Sequence, residues 1–421
     1  MKRLIILFTL VLTMACKAKE TATAAASKVA EKVSNVVEDI SAPLGKPGNA
    51  KERETQRFDS RWRQLQNFRA QQIARFKQLA AAAQPPKPLI FVTGVKEKFK
   101  GLDANAINNS PINVPVTGDV QGPSVLKAQV YLDRVHFSVG VIDGRWGRNS
   151  AVSVWWWQRS HGMEPTGEVD EQTFRSLAAA AGYPDAVVPH QLTADDVKGP
   201  FVEIPDDVYE QQKLDCLCYQ SLREKLAEEF HATEDFLELL NPGVKFSSLQ
   251  AGNTINVPDV RPPLTSDQHD IARIVISIAG NSLNGFDANG NLVFHAPTTL
   301  GSQYDPSPEE TVKIVKIFDH PSFHYDPTLY HEVPDYMPDA HLKPGPNSPV
   351  GVVWIALSKP HYGIHGTKSP DEIGYASSHG CVRLTNWDAA ELAHRISEGI
   401  EVSFVDTRGA ESQGGGKPPH S

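Results

Sequence analysis

Ile364-His365-Gly366-Thr367, followed after a short gap by Ser378-His379-Gly380-Cys381-Val382-Arg383-Leu384, puts one cysteine and two histidines into a compact stretch bracketed by glycines. A free thiol has a pKa of about 8.5, so at neutral pH it is mostly protonated and needs a neighbouring base or cation to become a useful nucleophile. His365 and His379 are the two candidate bases. Gly366 and Gly380 leave room for close backbone approach and for turns that aim N–H groups at a carbonyl oxygen. The clustering points to Cys381 as a nucleophile rather than to a buried structural cysteine beside two surface histidines.

The same stretch closely resembles the signature of the L,D-transpeptidase (YkuD-like) catalytic domain, a histidine with Gly-Thr followed by Ser-His-Gly-Cys, a hydrophobic residue and Arg-Leu. The resemblance continues upstream in Pro344-Gly345-Pro346-Asn347-Ser348-Pro349-Val350-Gly351 and in His320-Pro321-Ser322-Phe323-His324. It implies a mostly β catalytic domain over about 268–407, within a multidomain α+β chain. The implied reaction is acyl transfer on peptidoglycan stem peptides. Cys381 attacks the carbonyl before a terminal D-alanine, expels that residue and holds the stem as a thioester, which an amine or water then takes. By the same resemblance His365 is the general base. His379 and Ser378 orient the site, and the N–H of Cys381 with its Gly380 neighbour serves the oxyanion. Gly366, Thr367 and Arg383 fall on the substrate side. Arg383 stands two residues past the nucleophile, on the same face of an extended chain, where it meets either a substrate carboxylate or an acidic side chain of the fold. Thr385, Asn386 and Asp388 read as the start of a helix that pins the nucleophile loop.

No metal or cofactor is implied. A zinc peptidase is the competing reading, with His365, His379 and Cys381 as ligands, but the chain has no His-Glu-x-x-His. A non-catalytic wall tether is the other, and it has no need of a thiol between two histidines.

The N-terminus fits export. Met1-Lys2-Arg3 is basic, residues 4–14 are apolar but too short to span a bilayer, and Ala15-Cys16 follows, which resembles a bacterial lipoprotein signal. Cleavage after residue 15 would leave Cys16 lipidated. Thr13 departs from the usual aliphatic residue, and Lys17 is not the aspartate that retains lipoproteins in an inner membrane. The expected address is periplasmic, lipid-anchored at the outer membrane.

A length of 421 residues implies several domains, and a net charge of -9 without a basic stripe argues against a nucleic-acid partner. The expected partners are stem peptides and glycan, the membrane through the anchor, and a lipoprotein as one acceptor amine. Besides Cys16 and Cys381 there are only Cys216 and Cys218, whose spacing favours separate thiols over a strained bridge.

Residues 16–57 read as a flexible tether. Within 58–120, Phe58, Trp62, Leu65, Phe68, Ile73, Phe76 and Leu79 recur at helical spacing before an irregular Pro-, Gly- and Asn-rich stretch. Residues 121–182 resemble the three-helix peptidoglycan-binding domain type 1 through Asp143-Gly144, Gly147, Trp157-Gln158, Gly167, Asp170 and Leu177. Ser150 is the expected cap of its second helix. Since one helix face cannot bury three successive residues, at least one of Trp155, Trp156 and Trp157 is expected to be exposed to a sugar. Residues 206–260 resemble a LysM-like βααβ module through Leu240-Asn241-Pro242 and the ending Gly252-Asn253-Thr254-Ile255-Asn256-Val257-Pro258, without a recognisable opening strand. Residues 408–421 read as a disordered tail. Because all the site residues lie beyond 262, residues 262–421 are expected to act alone on soluble fragments.

Overall fold

The computed structural model describes residues 88–302, 306–308, 310–330, 333–334 and 336–405. The expected signal, Cys16, and the residues read as a tether, as a helix over 58–79 and as a tail lie outside the described residues. No helix among the described residues is long and apolar enough to cross a membrane.

The stretch before residue 121 is less irregular than its composition suggests. β1 (Phe91–Val92) pairs in parallel with β2 (Ile112–Asn113), and α1 (Ala104–Asn109) lies between them. Three helices follow, α2 (Pro123–Arg134), α3 (Arg148–Ser160) and α4 (Glu171–Ala181). Asp170 caps α4 by accepting from the Thr173 N–H, and Gly182 ends it in the left-handed region.

β3 (Val187–Gln191) is the opening strand that the sequence concealed, and it lies upstream of residue 206. It pairs antiparallel with β4 (Thr254–Pro258) around α6 (Leu222–Glu229) and α7 (Glu234–Leu240), giving a βααβ unit. Residues 192–220 form a long insertion carrying the one-turn helix α5 (Val208–Gln211). Cys216 and Cys218 are joined there as a disulfide, contrary to the expectation of separate thiols. The Cys-Leu-Cys ring is docked. Leu217 donates its N–H to the Pro344 carbonyl at 3.1 Å and accepts from the Asn347 N–H at 2.9 Å, so the Gly-Pro-Asn block holds this loop in an extended, closed form.

The last region is a mixed eight-stranded sheet in the order β13-β12-β11-β8-β14-β5-β6-β7. Its strands are β5 (Arg273–Ser277), β6 (Ser282–Phe286), β7 (Leu292–Pro297), β8 (Val312–Asp319), β11 (Val353–Leu357), β12 (Gly363–His365), β13 (Val382–Arg383) and β14 (Glu401–Val405). β9 (Phe323–Tyr325) and β10 (Ala340–Leu342) form a separate hairpin. Period-two burial defines the inner face: Val353, Ile355 and Leu357 on β11 and Val402 and Phe404 on β14 are buried. Against that face packs α8 (Asn386–Arg395), with Ala389 and Leu392 in the core. As expected, Thr385 caps α8, accepting from the Asp388 N–H.

The three regions pack together: the core around α2 and α3 takes in Ala232, Phe236 and Leu240 of the βααβ unit and Leu292 of β7. Edge strand β7 is extended by the chain leaving α2: Ser138 donates to the His295 carbonyl at 2.8 Å, and the His295 N–H donates to the His136 carbonyl at 2.9 Å. α3 lies across β7, so it is enclosed by its own domain on one side and the sheet on the other. Trp155, Trp156 and Trp157 are consequently 6%, 8% and 3% exposed, and none offers a face to a sugar. A helix buried on both sides has no solvent face to give.

A buried ionic cluster joins the same regions. Arg261 pairs with Asp133 of α2 and with Glu391 of α8, and its Nη2 lies 2.5 Å from Asp388. His231, from the βααβ unit, reaches Asp133 at 2.8 Å and stacks on Trp387. Arg395 ties Glu391 to Asp270. Charges this deep are tolerated only because each is paired and hydrogen-bonded.

Candidate active site

β12 and β13 run parallel, with Ile364 opposite Val382 and His365 opposite Arg383. Residues two apart on a strand share a face, so Cys381, Arg383, Gly363 and His365 all present to one side of this sheet edge. Trp354, across from His365 on β11, stacks on the imidazole at 5.2 Å between ring centres. Its indole fills the space a side chain at Gly363 would need, which is why that position takes glycine.

His365 is 4% exposed and its Nδ1 lies 2.7 Å from the Gly366 carbonyl oxygen. A carbonyl only accepts, so Nδ1 carries the proton and Nε2 keeps its lone pair. Burial, with a smaller push from Arg383, lowers the imidazole pKa to about 3, against the mild opposing effect of the Gly366 bond. The ring therefore stays neutral at physiological pH.

Cys381 is half-buried and is the free thiol of the described chain. Its Sγ lies 3.6 Å from the His361 carbonyl oxygen, toward which the S–H points. Burial raises the thiol pKa, while the Gly363 N–H and the Arg383 charge pull it down. The resting pair is thus a neutral thiol and a neutral imidazole.

Ser378 sits beneath the nucleophile. Its N–H donates to the Leu300 carbonyl at 2.8 Å, its hydroxyl donates to the Cys381 carbonyl at 2.6 Å, and the same oxygen accepts the Gly380 N–H at 3.2 Å. Gly380 has φ +102, and a Cβ there would press on the Tyr362 ring. His379 points away from this core. It is exposed and rests edge-on against Tyr330 near the β9–β10 hairpin, 5.0 Å between centres.

Arg383 has a buried Nε with no hydrogen-bond partner, and among the described residues no carboxylate pairs with it. Gly366 is sealed by the Asn386 side-chain oxygen, and Thr367 is buried with its hydroxyl accepting the Ser369 N–H at 3.2 Å. Asn386 also accepts the Val352 N–H at 3.2 Å, locking the floor under His365. Sequence reasoning placed Asn386 only at a helix start; its packing role depends on α8 folding back over β12. Ser307 was likewise missed. Its hydroxyl donates to the Gly380 carbonyl at 2.9 Å and accepts the Gly301 N–H at 2.9 Å, and no motif marks it.

Among the described residues the one group of three side chains whose ligand atoms converge is His190, Asp196 and Glu229, in the βααβ unit. His365, His379 and Cys381 do not form such a set.

Comparison with known proteins agrees with this architecture. Residues 271–403 match the L,D-transpeptidase catalytic domain family and residues 121–177 a peptidoglycan binding domain. A YkuD protein of Bacillus licheniformis, named for L,D-transpeptidase activity, is 32% identical over 182 residues, covering 43% of this chain and 92% of its own length. Its Bacillus subtilis counterpart is 29% identical over 179 residues, 42% of this chain and 90% of its own. The crystal structure of an L,D-transpeptidase from Xylanimonas cellulosilytica aligns with 76% of this chain and 100% of that one at 16% identity and a TM-score of 0.31, too loose to carry an argument. A catalytic β domain joined to a peptidoglycan-binding domain defines an enzyme of the bacterial wall. The chain belongs to the YkuD family of L,D-transpeptidases.

Proposed function

We propose that the protein transfers acyl groups between peptidoglycan stem peptides through a thioester on Cys381. The observation that carries this reading is the His365 tautomer: the Gly366 carbonyl fixes the proton on Nδ1, leaving Nε2 unprotonated on the face that Cys381 shares. His365 takes the thiol proton as Sγ attacks the carbonyl preceding a terminal D-alanine. The Cys381 N–H serves the oxyanion, because the Gly380 donor is already engaged by Ser378. The imidazolium returns its proton to the leaving D-alanine amine. The second half-reaction runs in reverse with an incoming amine, from another stem, a lipoprotein or a D-amino acid, or with water for trimming. Arg383, whose charge acts on the thiol and which pairs with no carboxylate among the described residues, meets the stem carboxylate.

Ser378 shapes the nucleophile turn, and His379 lines the mouth with Tyr330. Gly366 and Thr367 act from below, by keeping His365 in register. With the tryptophans enclosed, the candidate for wall affinity is a cleft of about 740 Å³ lined by Lys96, Glu97, Lys98, Asp119, Gln121 and Arg145. The βααβ unit reads as a LysM-like module, and Cys16 as the lipidated residue that holds the enzyme at the outer membrane facing the periplasm.

The test is incubation with disaccharide-tetrapeptides and mass spectrometry of the products. An acyl-enzyme lacking D-alanine on the wild type, and none on Cys381→Ala, is the expected result. An adduct on that variant refutes the nucleophile assignment.

A further inference from the structure

The segment that leads into the nucleophile turn is gripped from outside the catalytic domain. α3 starts at Arg148 after Gly147, which supplies no side-chain cap, and Ser150 does not cap it either. The hydroxyl of Tyr375, from the catalytic domain, lies against this turn, at the place a side chain on Gly147 would occupy. The same turn reaches back. Arg148 Nη1 donates to the Gly374 carbonyl at 2.7 Å, and Asn149 Nδ2 donates to the Ile373 carbonyl at 2.9 Å. Gly374 has φ +86, and a side chain there would strike the Asn149 amide, so the two segments fit only with glycine.

From this grip a short path leads to Cys381. The Gly374 N–H donates to Thr299 Oγ1 at 3.1 Å, and that hydroxyl donates to the Glu372 carbonyl at 3.3 Å. The Thr299 backbone exchanges two hydrogen bonds with Arg383, at 3.0 and 2.9 Å, two residues beyond the nucleophile. Leu300 then holds Ser378, whose hydroxyl holds Cys381. The loop entering the turn and the strand leaving it are therefore fixed by the same short segment, which the peptidoglycan-binding domain braces.

We infer that Arg148, Asn149 and Tyr375 are positioning residues for acyl transfer, so that the peptidoglycan-binding domain sets the geometry of the Cys381 turn as well as the enzyme's place on the wall. This rests on the reading of Cys381 as nucleophile. Reactive geometry is steep in distance, and a displacement of about 1 Å far from the chemistry can cost on the order of a hundredfold in rate.

The experiment compares full-length wild type, Asn149→Ala, Arg148→Ala, Arg148→Lys and Tyr375→Phe in acylation by a disaccharide-tetrapeptide. Tyr375 is 62% exposed, so Tyr375→Phe is expected to keep the fold. Expected are losses of about ten- to a hundredfold in the rate at saturating donor for Asn149→Ala and Tyr375→Phe, at unchanged KM, with Arg148→Lys recovering most of what Arg148→Ala loses. Wild-type rates in Asn149→Ala and Tyr375→Phe, or losses confined to KM, overturn the inference even if the melting temperature falls. Cys381→Ala run in parallel separates the two levels: activity surviving in that variant defeats the nucleophile assignment rather than the brace.

Discussion

Asn386 Nδ2 donates to both carboxylate oxygens of Glu228, at 3.0 and 3.1 Å, across the boundary between the catalytic domain and the βααβ unit. Its other side-chain atom, Oδ1, lies against Gly366, whose carbonyl holds the His365 proton. Glu228 thus stands one side chain behind the floor of the active site.

Burial, aided by Glu224, raises the Glu228 pKa to about 7 despite hydrogen bonds from Asn386 and Tyr219 that favour its charged form. The folded state therefore holds a proton that the unfolded state releases near pH 4.5. Stability associated with this group is complete below that value and is lost as pH rises through about 7. Glu228→Gln should raise the melting temperature at pH 8 and leave it little changed at pH 4.5. Equal effects at both pH values would show that the carboxyl does not titrate with folding.

The Cys381 thiol, raised by burial, should react with iodoacetamide in the intact protein at a rate that climbs with pH beyond the ordinary thiol value. Arg383→Gln, which removes a cation that pulls the thiol pKa down, should move the profile to still higher pH. A plateau already reached at pH 6 would mean a thiolate–imidazolium pair at rest.

His365→Ala should reduce acylation by roughly two to four orders of magnitude, the usual scale for a positioned base. His379→Ala should cost less, because its ring is exposed on the Tyr330 side. The reverse ranking, measured by single-turnover mass spectrometry, would reassign the base.

Arg261→Met should destabilise the protein by about 3–5 kcal/mol in urea titrations, since it removes the cation that Asp133, Asp388 and Glu391 share in the interior. All three regions should then melt together at a lower midpoint. A loss confined to one region would show that the cluster does not join them.

Residues 262–421 alone should acylate soluble fragments far less well than the full chain, in contrast to the expectation from motif placement. That piece lacks Arg261, the α3 brace on Gly374, and Glu228 behind Asn386. Full activity of the fragment would refute the coupling.

The placement of the candidate site was legible because Cys381, His365 and Ser378 are brought together within one strand pair and one turn. β11 was legible for a similar reason: Val353, Ile355 and Leu357 alternate with outward positions. The opening strand β3 was not, because Val187–Gln191 includes Pro189 and His190 and buries one flank only, so no alternation announces it. The tryptophan expectation failed on a tacit premise, that α3 has one neighbour. Nothing local in 148–160 tells of a second partner, β7, more than a hundred residues away. The Cys216–Cys218 bridge depended likewise on distant residues, Pro344 and Asn347, which hold the loop closed.

Three adjacent indoles enclosed between a wall-binding domain and a catalytic sheet also make a built-in optical gauge. Trp156 lies within 6.3 Å of His295 on β7, and Trp157 stacks on His161 at 3.6 Å. Parting the two domains would bring water to the first and leave the second in its own domain core. Of the seven tryptophans it is Trp156 whose emission shifts on such a parting, so the difference between the wild type and Trp156→Phe reports whether the enzyme is holding itself together as it meets the wall.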